Sequence, residues 1–177
     1  MDKTFSSIKQ LYEKRHTELF LKSEAQRTTK LGYWAASETD TVFELFTQIG
    51  LSKYKQFLDL GSGDGVVVAI ASLFTDATGI EIDEKLHDAA SADRKSLKLE
   101  YTLKNKDYLE EDFSQYDIIF INPDNHFYKL EKKITEEFSG TLIVVENIFR
   151  PLLLKPNMQI EINAVKFCVY NIKNKNN

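Results

Sequence analysis

The chain has 177 residues, of which 42% are apolar, 12% aromatic and 28% charged, the proportions of a folded globular protein and not of a disordered or fibrous one. Its formal net charge of −4 argues against a surface that grips nucleic acid or anionic membrane throughout, and its single cysteine, Cys168, excludes an internal disulfide framework. Charge is unevenly divided: residues 1–30 carry seven Lys/Arg against four Asp/Glu, residues 166–177 carry three Lys and no acid, and the 135 residues between them hold about −10. No run approaches the roughly 18–20 apolar residues of a membrane span, so no transmembrane segment is expected. The first residues lack the apolar core of a signal peptide, and a cytoplasmic location is expected. The length fits one domain, with residues 1–50 as a helical lead-in to a body formed by 51–177.

Residues 1–30 read as helix, because Phe5, Ile8, Leu11, Tyr12, Leu19 and Phe20 recur at helical spacing with Lys9, Glu13, Lys14 and Arg15 between them. Gly32 and the Tyr33-Trp34 pair break that period, and Ser37, followed by Glu38 and Asp40, reads as the cap of a second helix running to Gly50. From residue 57 strand and helix alternate. Strands are expected at 57–60, 77–82, 99–103, 117–121 and 141–146, with helices at 66–74, 83–95 and 126–138. The runs 158–162 and 165–172 lie too close together for an intervening helix and read as an antiparallel pair, with a loose tail over 171–177. The expected fold class is α/β, a doubly wound and mostly parallel sheet with an antiparallel C-terminal addition and N-terminal helices.

Chemistry concentrates in Asp59-Leu60-Gly61-Ser62-Gly63-Asp64-Gly65 and in Gly79-Ile80-Glu81-Ile82-Asp83. Glycines at 61, 63 and 65 let the main chain turn off a strand and approach a ligand, while the following helix aims its free amides at that spot. Glu81 stands at the tip of the next strand, where a carboxylate can accept from both hydroxyls of a ribose. The ligand therefore contains a nucleoside, and its charge can be read as well. Val66 occupies the sixth position of a dinucleotide fingerprint, and Asp64 puts a carboxylate where a pyrophosphate would lie. Asp59 and Asp64 instead suit the sulfonium and ammonium of S-adenosylmethionine. No metal site is expected.

The segment 59–65, Glu81-Ile82-Asp83 and Asp107 resemble the cofactor motifs of class I S-adenosylmethionine-dependent methyltransferases over about residues 55–147, which implies a seven-stranded Rossmann-like sheet. By that resemblance Asp59, Gly61, Ser62, Gly63, Asp64 and Gly65 surround the methionyl part and Glu81 holds the ribose. Ile82 packs on the adenine, and Asp107 with Tyr108 meets its edge; Asp107 also reads as a turn cap. Tyr33-Trp34-Ala35-Ala36-Ser37, the glycine segment and Leu130-Glu131-Lys132-Lys133 are similar to the small lysine methyltransferases of archaea and of the mitochondrial ATP synthase c-subunit family, although Ala35 stands where that family has proline.

Asn122-Pro123-Asp124-Asn125 falls at the carboxyl end of a strand, the usual place for substrate chemistry in such a fold. It half-matches the Asn-Pro-Pro-aromatic motif in which an Asn side chain and a Pro carbonyl accept from an amine; Asn122-Pro123 also reads as a simple strand stop. His126 is a candidate base, Tyr33 a candidate aromatic wall or a packed core residue, and His16 and His87 receive no role. The expected reaction is in-line methyl transfer to a protein lysine, with Asn122, Pro123 and Tyr33 as catalytic candidates. RNA, DNA or a small molecule as acceptor, and a noncatalytic cofactor-binding protein, are the alternatives. A nucleic acid would be held by Lys9, Lys14, Arg15, Lys22, Arg27 and Lys30. So small a body leaves acceptor selection to residues 1–50, and loss of 1–30 is expected to impair transfer more than cofactor binding.

Overall fold

The computed structural model describes residues 3–22, 26–28 and 33–173; Gly32, Lys30 and the end of the expected tail lie outside them. Helix α1, Lys3–Leu21, ends well before residue 30. Phe5, Ile8 and Tyr12 are buried, and full burial of a large apolar side chain contributes about 1.5–3 kcal/mol. The packed stripe does not extend to the helix end, because Leu19 is only half-buried and Phe20 is 74% exposed. Strands β1 (Gln26–Thr28) and β2 (Tyr33–Ala35) then form an antiparallel ribbon.

Helix α2, Thr39–Gln48, starts two residues after Ser37. Ser37 is not its cap: Glu38 takes that place without a side-chain bond to the exposed amides, and its carboxylate accepts from the Thr41 hydroxyl. The later boundaries shift for similarly local reasons. Lys98 takes a left-handed conformation at the end of α4 (Glu84–Leu97), and Arg94 donates to the Tyr101 carbonyl at 2.6 Å. The chain is thereby held off the sheet until Thr102. Helix α3 is only Val66–Ala71, and α5 is Tyr128–Glu137.

Seven strands, β3 (Gln56–Leu60), β4 (Asp76–Glu81), β5 (Thr102–Asn105), β6 (Ile118–Ile121), β7 (Gly140–Val145), β8 (Met158–Ile162) and β9 (Val165–Ile172), form one sheet. Their order is β5-β4-β3-β6-β7-β9-β8. The first five are parallel, and β9 runs antiparallel to both β7 and β8. Period-two alternation divides the core. Phe57, Ile118, Phe120, Ile143 and Phe167 face the cluster under α1, α2 and α3, whereas Leu58, Ile119, Ile121, Leu142 and Cys168 face the cluster under α5. Strand order reverses between β3 and β6, which opens a crevice at the carboxyl ends of those strands.

Candidate functional site

The chain leaves β3 through Gly61, whose φ of +71° is a left-handed conformation that glycine adopts without strain. The amides of Gly61 and Ser62 both donate to the Ile80 carbonyl at 2.9 Å, folding the turn back on β4. Glu81, at the tip of β4, then accepts from the Gly63 amide on one oxygen and from the Asp83 amide on the other, each at 2.8 Å. One carboxylate thus locks the glycine turn to the start of α4. A Cβ at Gly61 would meet nothing within 4 Å, so the turn faces open space there, whereas a Cβ at Gly63 would lie 2.5 Å from Trp34 Nε1.

Three acids converge behind this turn. Asp59 is 2% exposed, and its Oδ2 finds no partner among the described residues. Burial, and then the nearby Glu81 and Asp64, push its carboxyl well above the usual range. Burial also raises Glu81, against the lowering effect of its two amide donors. Asp64 is paired, with Oδ2 2.8 Å from His16 Nε2 and Oδ1 facing the Val66 amide at 3.4 Å. The Ser62 hydroxyl is likewise buried without a partner. Orphaned acceptors, a surplus of negative charge and an open glycine edge fit a cationic nucleoside such as S-adenosylmethionine.

Beyond Glu81 the crevice continues along Ile82, which is 41% exposed, toward Asp107 and Tyr108. Asp107 caps a short turn by accepting from the Leu109 amide at 2.8 Å. Burial, with Asp124 and Asp107 nearby, pushes the Tyr108 hydroxyl up to about 12. The hollow beside the glycine turn is bounded by Tyr33, Trp34, Gly61, Glu81, Asn122 and Pro123.

The end expected to take the acceptor is assembled from distant segments. Asn122 is exposed at the mouth and Pro123 is buried. The Pro123 carbonyl accepts from Asn147 Nδ2 at 2.8 Å, and Asn147 Oδ1 accepts from the Phe149 amide at 2.6 Å. Asp124 Oδ2 accepts from the Tyr33 amide at 2.7 Å, which ties the β1–β2 ribbon to the strand end. Tyr33 is 48% exposed at the rim and is not a packed core residue. The His126 ring meets Phe149 edge-on at 5.7 Å, outside the glycine turn. Next to it, buried Glu131 accepts from three successive amides, Leu152, Leu153 and Leu154, at 2.8–3.1 Å. That grip turns Leu152 and Leu153 outward.

Asp59, Gly61, Ser62, Gly63, Asp64, Glu81, Ile82, Asp107 and Tyr108 line a run of adjoining hollows, as do Asn122, Pro123 and Tyr33, whereas Gly65 turns toward Ala90, whose Cβ would stand 2.8 Å from a Cβ placed on Gly65. Sequence reasoning missed His16, Asn147 and the loop-holding part played by Glu131. His16 could have been found, since it lies one helical turn after buried Tyr12; Asn147 gives no local signal. The expected phosphate grip is partly consumed. Lys9 pairs with Asp40 and Glu13, and Arg15 pairs with Asp93. Among the described residues no helix is long and apolar enough to cross a membrane, and no group of three or more His, Cys, Asp or Glu is placed to hold a metal ion.

Solved structures share this architecture. An RNA methyltransferase from Salinibacter ruber, in complex with S-adenosyl-L-homocysteine, superposes with a TM-score of 0.68 at 20% identity, covering 78% of this chain and 94% of that one. The Pyrococcus abyssi tRNA (uracil-54, C5)-methyltransferase gives 0.63 at 13% identity over 78% and 40%, and a mitomycin 7-O-methyltransferase gives 0.64 at 13% over 76% and 53%. At such identities the likeness establishes the fold and not the acceptor. A comparison with curated proteins gives no match. The family model described as histone methylation protein DOT1 matches residues 33–174, which hold the whole sheet and every expected cofactor residue, and the chain accordingly belongs to that family and is an S-adenosylmethionine-dependent methyltransferase.

Proposed function

We propose that the protein methylates a lysine side chain of another protein. The observation that carries this reading is the mouth of the crevice, where an aromatic ring (Tyr33), an exposed amide (Asn122) and a carboxylate (Asp124) line the same hollow as Gly61 and Glu81. Such a mouth attracts an ammonium, and desolvation against its aromatic wall favours the neutral amine that must react. The family's description names a protein as the methylated species, and the resemblance to small lysine methyltransferases points the same way. A polyphosphate acceptor fits less well, because the crevice is acidic and Lys9 and Arg15 already bind carboxylates of the body.

S-adenosylmethionine supplies a methyl carbon made electrophilic by its sulfonium. In this reading Glu81 holds the ribose, Asp59, Asp64 and the glycine turn hold the methionyl part, and Ile82, Asp107 and Tyr108 border the adenine. Asn122 would orient the entering amine toward the methyl group that S-adenosylmethionine would supply, and the amine's surplus proton would pass to solvent. Pro123 acts through the backbone position that Asn147 fixes. Positioning of this kind can supply several kcal/mol of the barrier reduction.

The test is incubation of the protein with radiolabelled S-adenosylmethionine and separated protein, RNA, DNA and metabolite fractions from its host. Label in protein, traced by mass spectrometry to lysine, is expected. Label confined to RNA or another fraction would overturn the lysine assignment.

A further inference from the structure

Helix α1 packs on Asp64 behind the cofactor crevice, although the family match begins only at residue 33. Tyr12 and His16 are one turn apart and share a face. Tyr12 is fully buried, and its hydroxyl donates to the Asp64 main-chain carbonyl at 3.2 Å. His16 Nε2 lies 2.8 Å from Asp64 Oδ2. Arg15, on the adjoining face, clamps α1 to Asp93 of α4. The Trp34 indole stands edge-on to the His16 ring at 6.5 Å and covers Gly63. Among the described residues, His16 is the only side chain with an ionisable nitrogen in hydrogen-bond contact with Asp59, Asp64 or Glu81.

We propose that α1 backs the S-adenosylmethionine site and that His16 is the residue that positions Asp64. The inference rests on the cofactor placement given above and adds to it a recognition element for the ligand's α-ammonium. Asp64 is 3% exposed, and a buried carboxylate can direct a cation only if its own orientation is set. The Tyr12 hydroxyl sets the main chain and His16 sets the carboxylate, leaving its remaining lone pairs for the ligand. Asp59 Oδ2, by contrast, has no hydrogen-bond partner among the described residues. The consequence reverses the order expected from chain length: disturbance of α1 reaches cofactor binding before it reaches the acceptor.

Two probes separate positioning from general loosening of the fold. S-adenosylhomocysteine carries the α-ammonium and α-carboxylate, whereas 5′-methylthioadenosine has the same nucleoside and sulfur without them. By calorimetry, His16→Ala should weaken S-adenosylhomocysteine about tenfold and leave methylthioadenosine within twofold. His16→Gln, whose amide can donate from the place of Nε2, should restore most of the loss. Lys14→Ala, on the exposed face of the same helix, should change neither affinity. Equal losses for both ligands, or none for either, would overturn the proposal. If His16→Ala does not fold, Tyr12→Phe carries the test, because it removes one hydroxyl and keeps the ring. A loss of about threefold for S-adenosylhomocysteine alone is expected, and unchanged affinity would overturn the proposal. Wild-type protein that takes up neither ligand would overturn the cofactor placement itself, and this inference with it.

Discussion

At the cofactor end, seven consecutive residues, 59–65, and one acid twenty residues after Gly61 make a cradle whose parts hold one another through backbone amides. At the acceptor end, Tyr33, Asn122, Asp124 and Asn147 come from three separated segments and meet through single side-chain bonds. The first is buried, acidic and closed by strand and helix termini; the second is half-exposed and bordered by a loop whose Leu152 and Leu153 point to solvent. The contrast teaches that the proposed cofactor cradle is built by local geometry, while the proposed acceptor mouth is built by long-range assembly.

That contrast can be broken most severely at Gly63. Gly63→Ala forces a left-handed conformation on alanine and drives its Cβ to 2.5 Å from the Trp34 indole nitrogen. S-adenosylmethionine affinity should fall by at least about 100-fold, with a lowered melting temperature, as read by calorimetry and thermal unfolding.

Asp59→Asn should have opposite effects on the two states of the cradle. Burying a charge without a partner is costly, so the variant should melt higher without cofactor yet bind S-adenosylmethionine about tenfold more weakly. The pH sign follows from the raised carboxyl of Asp59. Its folded value exceeds its unfolded one, so its favourable contribution is complete below the unfolded value and is lost as pH rises through the folded value. The wild-type disadvantage relative to Asp59→Asn should therefore grow across that window. A cationic ligand favours the ionised form, so binding within the window should release a proton, visible as a dependence of calorimetric enthalpy on the buffer.

Asn147→Ala addresses the other end. Loss of its bond to the Pro123 carbonyl should lower kcat/KM for the acceptor about fivefold and leave cofactor affinity within twofold. A matching loss of cofactor affinity would erase the distinction between the two ends. The smallest functional effect is expected from Glu131→Gln. Weakening three amide contacts at a buried carboxylate should cost about 1–2 kcal/mol of stability in denaturant titration, with cofactor affinity unchanged.

Much of this architecture is legible in the chain because its signals are short-range. Gly61 to Gly65 after an apolar run, and Glu81 at the end of the next one, announce a turn and an acid that need no tertiary information. The terminal strand pair is equally plain, since 158–162 and 165–172 leave no room for a helix. Misplaced boundaries occur where a side chain outside the element decides: Arg94 on the Tyr101 carbonyl delays β5, and Ser37 yields the helix start to Glu38. Long-range meetings are silent in sequence. Nothing local to Asn147 predicts Pro123, and nothing in the charge of Lys9 or Arg15 says that they turn inward to Asp40 and Asp93. His16 lies between these cases, for the face it shares with Tyr12 is visible but the arrival of Asp64 beneath that face is not.

The most direct test of the central claim is titration calorimetry of S-adenosylmethionine into wild-type protein and Glu81→Ala. One site is expected in the wild type and a loss of at least about 30-fold in the variant, since Glu81 ties the glycine turn to the start of α4 and is the residue proposed to hold the ribose. Equal affinity in the two proteins, or no binding to the wild type, would contradict it.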